Sequence, residues 1–384
     1  KESWVIFMVS ETGSTKLKVV LISNEFPPIM SSGAAQMRDL AEEFSRAGYD
    51  VTVLTSVYGE TPSSYVDEAL GIKIIRFSAL QTKGVGYFRR TINEILAPRL
   101  MLRNIKRSSL NNVKWHGVIW YSPTIFLGPV AKHLKSNSGC QSYLIVRDLF
   151  PDWAVDMGLM GRGLPYKILK FFERQQYSAA NIIGVQAEGN LPYFSNWASF
   201  KGKKIEVLNN WLSNESKAET SIIIERTELK GRRIFVYAGN MGIAQGLEIL
   251  FSAIIALKDR KDIGFLFIGR GSEMDRFKKL TASLSLSNVV FFDHIDSNEI
   301  PALYRQCHIG MLSLDLRHKT HNIPGKFLSY MTSGLPVIAV VNPGNDLFGM
   351  ITKADVGRVV TDEDTKSLVN KIIELIEMNE FEIQ

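Results

Sequence analysis

The sequence has 384 residues, of which 45% are hydrophobic and 22% are charged. A chain of this composition buries a large core, which excludes a disordered protein, and its length favours two domains. The formal net charge of +6 indicates an anionic partner, which could be nucleic acid, a lipid surface or a phosphorylated small molecule. No stretch approaches the roughly twenty apolar residues of a membrane-spanning helix, so any membrane contact is expected to be peripheral. Cys140 and Cys307 have neither zinc-site nor disulfide-framework spacing, which favours a reducing compartment.

Apolar, β-branched segments alternate with helical patterns from the start of the chain. A βαβ unit is predicted where LKVVLIS at 17–23 is followed by an amphipathic stretch from Ala35 to Ala47 and then by YDVTVLTS. Further strands are predicted at 72–77, 117–122, 143–148 and 181–186. Continuous apolar strands between helices are typical of a parallel sheet covered on both faces.

A polar segment without clean periodicity, from Trp211 to Arg233, precedes a second α/β series. The strands of that series are predicted at 234–239, 264–269, 288–293, 308–314 and 335–341. We therefore predict two doubly wound, Rossmann-like α/β domains at 16–212 and 213–365, and a C-terminal helix at 366–384 that could pack back on the first domain. Ligands of such sheets bind beyond the carboxyl ends of the strands, and two such domains facing each other would form one deep cleft.

The loops after the predicted strands contain glycines and polar groups suited to anions. Gly33, near the start of the first helix, could let a phosphate or sugar approach backbone N–H groups, or it could simply ease a turn. The turn AGNMGIAQG places Gly239, Asn240 and Gly242 ahead of a helix. The turn IGRGSE places Arg270 beside two glycines. The dinucleotide fingerprint GxGxxG is missing, which argues against a nicotinamide or flavin enzyme.

The most informative segment is HKTHNIPGKFLSYMTSGLPVIA, from His318 to Ala339. Its NIPG turn presents backbone donors at the start of a helix, and Lys326 adds a cation in the first turn. Because a lysine is electrostatically disfavoured at that end of a helix, its presence indicates a negative group opposite, and a diphosphate fits best. A solvated lysine is the alternative.

These motifs, taken in order, resemble a known family. One set looks like the C-terminal domain of retaining glycosyltransferases of family four, which have the GT-B fold: AGNMGIAQGLEIL, FIGRGSE, VVFFDHIDSNEIPALYRQCHIGMLSL and NIPGKFLSYMTSGLPVIA. Another set resembles the acceptor domain of that family: SNEFPPIMSSGAAQMRDLAEEFSRAGYDVTVLT and VRDLFPDWAVDMGLM. The resemblance extends from about Lys16 to about Thr365, and within the family the sequence is most similar to bacterial L-fucosamine transferases of O-antigen and capsule assembly.

The resemblance implies that the second domain grips a nucleotide-sugar. In that family two glutamates eight positions apart contact the donor sugar and the ribose, and these positions fall here on His321 and Ser329. Asn240 and Gln245 stand roughly where an arginine and a lysine are frequent. These departures imply an aminodeoxy-sugar donor held mainly by backbone groups and Lys326. His321 is assigned to the reacting sugar, and the implied nucleotide-sugar contacts are Gly33, Gly239, Asn240, Gly242, Arg270, His294, Ile295, Asn322, Ile323, Pro324, Gly325, Lys326 and Ser329.

The motif RDLFPDW resembles the place in the acceptor domain where a histidine–aspartate pair follows a strand. Arg147 stands at the histidine position and Asp148 at the aspartate position. The resemblance implies that Asp148 orients or deprotonates the acceptor hydroxyl and that Arg147 lies near the leaving phosphate. Capping of the following helix is the alternative for Asp148. Retention implies that the acceptor attacks the face from which the nucleotide leaves, so the protein positions groups and stabilises charge, with no metal or other cofactor.

Residues 83–110 interleave basic and apolar side chains, which predicts a basic amphipathic element broken near Pro98. An anionic bilayer is its natural partner, in agreement with an acceptor saccharide linked to a lipid diphosphate of the undecaprenyl type. A buried helix with a solvated basic side is the alternative. The implied membrane or acceptor contacts are Arg89, Arg90, Arg103, Arg107 and Trp153.

Together these observations predict a retaining glycosyltransferase at the inner face of a bacterial cell membrane. It would move an N-acetylated aminodeoxyhexose, such as L-FucNAc, from a UDP-sugar to a lipid-linked saccharide, with no nucleic-acid partner. A UDP-sugar epimerase of the same fold and a basic nucleic-acid-binding protein are the alternatives. RDLFPDW and the basic stretch argue against the epimerase, and the lack of a zinc or RNP-like pattern argues against nucleic acid.

Overall fold

The computed structural model describes residues 16–58, 64–69, 71–81, 85–195, 203–212 and 218–377. Residues 1–15 lie outside these ranges, and so do the start of the basic stretch at 83–84, residues 213–217 of the polar segment and the C-terminal end at 378–384. The chain divides into two compact units, one ending at Asn209 and the other beginning at Asn210.

The first unit is a sheet of mostly parallel strands with helices between them. Its strands are β1 (Lys18–Ser23), β2 (Asp50–Tyr58), β3 (Ser64–Ala69), β4 (Ile72–Ala79), β5 (Gly117–Ser122), β6 (Gln141–Val146), β7 (Ile182–Val185) and β8 (Lys204–Val207). Its helices are α1 (Ser32–Arg46), α2 (Tyr87–Arg107), α3 (Gly128–Ser138), α4 (Asp152–Asp156), α5 (Leu164–Ala179) and α6 (Pro192–Ser195). The sheet order is β3-β4-β2-β1-β5-β6-β7-β8, and β3, which was not predicted, pairs antiparallel with β4.

The central strands of this sheet are apolar along their length because helices cover both faces. In β1, Val19, Leu21 and Ile22 are fully buried, and Leu21 lies in register with Val53 of β2. The loop after β1 leads into α1, where the Ser31 hydroxyl caps the helix by accepting the Ala34 N–H at 3.1 Å. The strand–loop–helix order places the start of α1 at the carboxyl edge of the sheet.

Helix α2 runs through Pro98 as one helix of 21 residues, so the predicted break at this proline is wrong. Ala97, Met101 and Ile105 are buried, and the helix packs against β4 and α3. Burial of this face offsets the roughly 3 kcal/mol that a proline costs inside a helix. The apolar side of the basic stretch therefore belongs to the core of the first unit.

The second unit contains a parallel six-stranded sheet. Its strands are β9 (Arg233–Asn240), β10 (Ile263–Arg270), β11 (Val289–Phe292), β12 (Ile309–Ser313), β13 (Val337–Val340) and β14 (Gly357–Val360), in the order β11-β10-β9-β12-β13-β14. Its helices are α7 (Glu248–Ala256), α8 (Met274–Ser283), α9 (Ile300–Tyr304), α10 (Gly325–Thr332), α11 (Asp346–Lys353) and α12 (Thr365–Glu377). Strand β14 was not predicted from the sequence.

The C-terminal helix α12 belongs to the second unit. Leu368, Ile372 and Leu375 are buried in the core of that unit, and the helix packs against α7 and β14. The described residues of this helix thus pack within the second unit, and packing back on the first domain stays a prediction. Within the part of the chain described here, every helix is too short or too polar to cross a membrane.

Helix α10 is fixed to the sheet by Tyr330, where β9 and β12 diverge. These two strands pair only at Ile309 with Phe235 and at Gly310 with Val236. The buried Tyr330 hydroxyl lies 3.0 Å from both the Val236 and Met311 carbonyl oxygens and so bridges the strands. Its ring packs on Gly310, where any Cβ would come within 2.5 Å of it. The position of α10 thus depends on one tyrosine.

Replacing Tyr330 with Phe is expected to remove this bridge and to leave two buried carbonyl groups without their hydroxyl partner. We expect the free energy of unfolding to fall by about 1–3 kcal/mol, measured by thermal unfolding of the full chain. A loss below about 0.5 kcal/mol would show that the strands hold together without the hydroxyl.

Candidate functional site

Several residues predicted to bind a nucleotide-sugar lie at the carboxyl edge of the second sheet. Because all six strands are parallel, the loops after β9, β10, β11, β12 and β13 emerge at this one edge. Gly239 and Asn240 are the last residues of β9, in register with Gly269 and Arg270 of β10. Lys326 lies in the first turn of α10, after the loop that follows β12.

Lys326 carries the most unusual group at this edge. Its Nζ lies 3.6 Å from the centroid of the Tyr237 ring and 3.7 Å from the point where a Cβ on Gly239 would stand. This nitrogen is shielded from solvent and has no hydrogen-bond partner among the described residues. Burial lowers the pKa of the Lys326 ammonium to about 7. A buried ammonium is costly unless an anion accompanies it, and the Tyr237 ring compensates only partly.

The start of α10 adds backbone donors beside this lysine. Pro324 occupies the N-cap and offers no side-chain acceptor to the first-turn N–H groups. Gly325 faces open space, because a Cβ built there would meet nothing within 4 Å. Ile323 is buried, and its carbonyl accepts a hydrogen bond from the Asn210 amide, which fixes the approach to the helix. First-turn N–H groups without a side-chain cap, the positive helix end and Lys326 together favour an anion here.

Two loops are locked together under this site, and the glycines serve that packing. Gly246 has a positive φ of 54°, and a Cβ there would lie 2.7 Å from the Asp315 Cα. The Asp315 N–H donates to the Ala244 carbonyl at 3.2 Å, and the Ser313 hydroxyl donates to the Gly246 carbonyl at 3.0 Å. The glycine-rich turn after β9 is thus held against the loop after β12.

His321 and Ser329 occupy the positions where the similar family has its glutamates. His321 Nδ1 lies 3.2 Å from the Asp346 carboxylate, at the start of α11, so a carboxylate does stand next to this position. Ser329 is half-buried on α10, one turn beyond Lys326, and its carbonyl accepts from the Thr332 hydroxyl. Asn322 is half-buried in the same loop.

The remaining predicted donor contacts lie on neighbouring loops. Arg270 is exposed at the end of β10, and its carbonyl accepts the Met241 N–H at 2.8 Å. Gly242 lies against Asn240, whose Nδ2 is 2.9 Å from the point where a Cβ on Gly242 would stand. The pair His294 and Ile295 follows β11, the outermost strand. These positions lie at the same carboxyl edge of the second sheet as Lys326.

In the first unit, Gly33 packs against Tyr121. A Cβ at Gly33 would lie 3.0 Å from the Tyr121 ring, so the glycine permits close approach of α1 to the end of β5. The Tyr121 hydroxyl donates to Gln36 at 2.8 Å, and burial raises its pKa to about 12. Gly33 therefore has a packing task, and a role as ligand contact stays a prediction.

Arg147 is buried rather than open to a ligand. Its Nη1 donates to the Leu208 carbonyl at 3.0 Å, and its guanidinium also hydrogen-bonds to Tyr121. Only 7% of the residue is exposed. These contacts let Arg147 fix the loop after β6, and its place near a leaving phosphate stays a prediction.

Asp148 follows Arg147 just beyond β6 and is half-buried. Burial of the carboxyl raises its pKa, and the adjacent Arg147 opposes this only in part. The N-cap of the following helix α4 is Pro151, so the alternative that Asp148 caps this helix is wrong. A carboxylate with a raised pKa beside a rigid cation is suited to accept a proton from a bound hydroxyl.

The predicted membrane contacts lie on α2 and α4. On α2, Arg89, Arg90, Arg103 and Arg107 are exposed, and Arg90 is paired with Glu94 at 2.8 Å. Trp153 is half-buried in α4, 6.2 Å from the Phe150 ring. Much of the apolar side of α2 is thus packed and its basic side is solvated, as in the alternative for this segment, while membrane contact stays a prediction.

The sequence did not single out Tyr237, Tyr121 or Asp346. Tyr237 and Tyr121 lie in apolar strands, where an aromatic residue signals only a core position. Asp346 follows Asn345, the N-cap of α11, and this capping pattern is the signal that could have placed it at the sheet edge. Among the described residues, no three His, Cys, Asp or Glu side chains group as metal ligands, and the expected independence from metal stays a prediction.

Comparisons with known proteins agree with this geometry. Residues 232–378 match the family model described as glycosyl transferases group 1. The chain is 27% identical over 260 residues to WbjE, a probable glycosyltransferase of Pseudomonas aeruginosa, covering 64% of this chain and 62% of WbjE. It is 27% identical over 212 residues to WcaI of Escherichia coli K12, a putative colanic acid biosynthesis glycosyl transferase. This match covers 50% of this chain and 49% of WcaI. The matches thus span less than two thirds of either relative.

A solved α,α-trehalose-phosphate synthase (UDP-forming) from Burkholderia xenovorans has a TM-score of 0.68 at 14% identity, covering 96% of this chain and 94% of that one. The chain has the GT-B fold. At this identity the likeness establishes the fold alone, two Rossmann-like α/β domains with parallel sheets, and the predicted fold class is confirmed. In this GT-B chain, the segment matched by the family model contains the whole Lys326 site.

The lowered pKa of Lys326 predicts that an anion binds together with a proton. At about pH 8 the free ammonium is mostly deprotonated, and a bound diphosphate would raise its pKa and draw in a proton. We expect uptake of close to one proton per UDP, measured by calorimetric titration in buffers of different ionisation enthalpy. As the pH rises further, the affinity for UDP should fall because protonation of Lys326 becomes less favourable.

Lys326→Arg is the matched control, because a guanidinium stays charged and needs no proton from solution. This variant should bind UDP with no proton uptake at the same pH. Equal uptake by the variant and the wild type would assign the proton to another group.

Proposed function

We propose that this chain is a glycosyltransferase that transfers a sugar from a nucleoside-diphosphate sugar to an acceptor. The observation that carries the proposal is the buried ammonium of Lys326, at a helix start and the carboxyl edge of a parallel sheet, which has no hydrogen-bond partner in the part of the chain that the structure describes. A diphosphate would be the negatively charged partner of this ammonium. The first-turn N–H groups of α10 would donate hydrogen bonds to the diphosphate oxygens. The match of residues 232–378 to glycosyl transferases group 1 supports the same reading.

The donor is proposed to be a UDP-sugar, because a structural neighbour is a UDP-forming synthase. The sugar is proposed to be an aminodeoxyhexose of the L-FucNAc type. His321, which stands beside Asp346 where the similar family has a glutamate, would contact its hydroxyl or acetamido group. Transfer would proceed with retention, without a metal, by positioning of the acceptor hydroxyl on the face that the diphosphate leaves.

The acceptor is proposed to be a lipid-diphosphate-linked saccharide of bacterial surface polysaccharide synthesis. The name of one relative, a putative colanic acid biosynthesis glycosyl transferase, supports this setting. Asp148 would orient and deprotonate the acceptor hydroxyl. Arg147 and Tyr121 would hold in place the loop after β6 that carries Asp148. The exposed arginines of α2 would face anionic lipid at the inner side of the membrane.

The donor is identified first, by measuring which of a panel of UDP-, GDP- and dTDP-sugars raises the unfolding temperature of the chain. The stabilising donor, radiolabelled, is then incubated with lipid-linked saccharides, and label in the lipid phase is counted. Turnover of the donor without acceptor would instead support an epimerase.

Asp148→Asn is expected to lower transfer by about 10²–10⁴-fold, because an amide cannot accept the proton, while donor affinity stays within about twofold. Asp156→Asn is the matched control, since Asp156 is a half-buried acid at the end of α4 and should leave transfer unchanged. Full activity of Asp148→Asn would remove this residue from the chemistry. An equal loss in both variants would point to a folding effect.

A further inference from the structure

Helix α5 carries an exposed apolar ridge formed by Leu164, Ile168 and Phe171. Their exposed fractions are 70%, 46% and 55%. At about 100° per residue, these three positions fall within an arc of about 60° on the helix. An apolar stripe turned to solvent on an otherwise packed helix marks an interaction surface.

The opposite side of α5 is firmly fixed. Leu169 is buried with Ile125 and Phe126, and Glu173 is fully buried. Lys170 Nζ lies 2.8 Å from the Asp152 carboxylate and also contacts the Glu173 carboxylate. Because this inner side is anchored by both packing and ion pairs, the ridge cannot turn inward without breaking the buried network.

Cations flank the ridge on both sides. Lys167 and Arg174 are exposed and lie about 60–80° from Leu164 on one flank by helix geometry. On the other flank, the Arg99 guanidinium of α2 lies 6.0 Å from the centroid of the Phe172 ring. The one acidic residue of α5, Glu173, is buried on the far side. The surface around the ridge is therefore apolar at its centre and positive at its edges.

We infer that the α5 ridge docks on an anionic lipid surface. Apolar side chains would enter the boundary between headgroups and acyl chains, while Lys167, Arg174 and Arg99 would contact lipid phosphates. The cations of α2 would add electrostatic attraction, while Ala97, Met101 and Ile105 of that helix are buried in the core. The inference deepens the proposed function at a membrane-bound acceptor and rests on it only for its biological setting.

A second copy of the chain is a poorer occupant. In a two-fold contact through this ridge, Lys167 and Arg174 would face their own copies, which is repulsive. Three side chains also cover much less than the roughly 800 Å² per partner of a stable interface. Anionic lipid satisfies both the apolar centre and the positive edges.

The test compares two serine variants of the full chain. One carries Leu164→Ser, Ile168→Ser and Phe171→Ser. The matched control carries Phe348→Ser and Met350→Ser, which remove exposed apolar side chains of α11 in the second unit, 43% and 42% exposed. Binding is measured by sedimentation with vesicles of phosphatidylcholine containing about one third phosphatidylglycerol.

Partitioning of the α5 triple variant onto these vesicles is expected to fall by at least about tenfold. Partitioning of the α11 variant is expected to stay within about twofold of wild type. Lys167→Gln with Arg174→Gln should weaken binding to these vesicles but not to pure phosphatidylcholine. UDP titration of the triple variant should give wild-type affinity, which separates a lipid defect from a failure of the proposed donor site. Wild-type sedimentation of the triple variant, or a wild-type dimer that this variant abolishes, would overturn the inference.

Discussion

The stacking of the Lys326 ammonium on the Tyr237 ring is the interaction on which the candidate site depends. A cation is held in the protein interior with an aromatic face as its only described partner, at 3.6 Å from the ring centroid. Such an arrangement costs solvation energy that the ring recovers only in part. An anion that enters the site would therefore stabilise the ammonium. For a diphosphate, this stabilisation would add to the binding energy that the helix start provides.

The surrounding structure keeps that lysine in place. Tyr330 fixes α10 to β9 and β12, and Gly310 makes room for its ring. On the neighbouring side, the close approach of Gly246 to Asp315 locks the turn after β9 against the loop after β12. Gly246 thus acts through packing, while phosphate contact by the N–H groups of α10 and by Lys326 stays a prediction. A rigid site of this kind avoids the ordering cost that a mobile loop would incur on binding.

The local features of the site follow from the sequence, but their partners do not. The alternation of apolar strands and helices predicted two parallel α/β units, and the NIPG turn predicted the helix start beside Lys326. The role of Tyr237 depends on tertiary packing, because the apolar pattern of its strand predicts only a core position. Arg147 shows the same limit, because the resemblance implied a place near the leaving phosphate, which stays a prediction, but did not indicate the contacts of its guanidinium with Leu208 and Tyr121. Pro98 predicted a helix break that burial of α2 outweighs.

Binding of a diphosphate by Lys326 can be measured by calorimetric titration of UDP against the wild type and two matched variants. Lys326→Met keeps most of the length of the side chain and removes its charge, and Lys319→Met does the same at an exposed lysine in the loop after β12. We expect Lys326→Met to weaken UDP binding by at least about tenfold and Lys319→Met to change it by less than about twofold. Equal affinity of Lys326→Met and the wild type, or no binding of UDP by the wild type, would contradict the account.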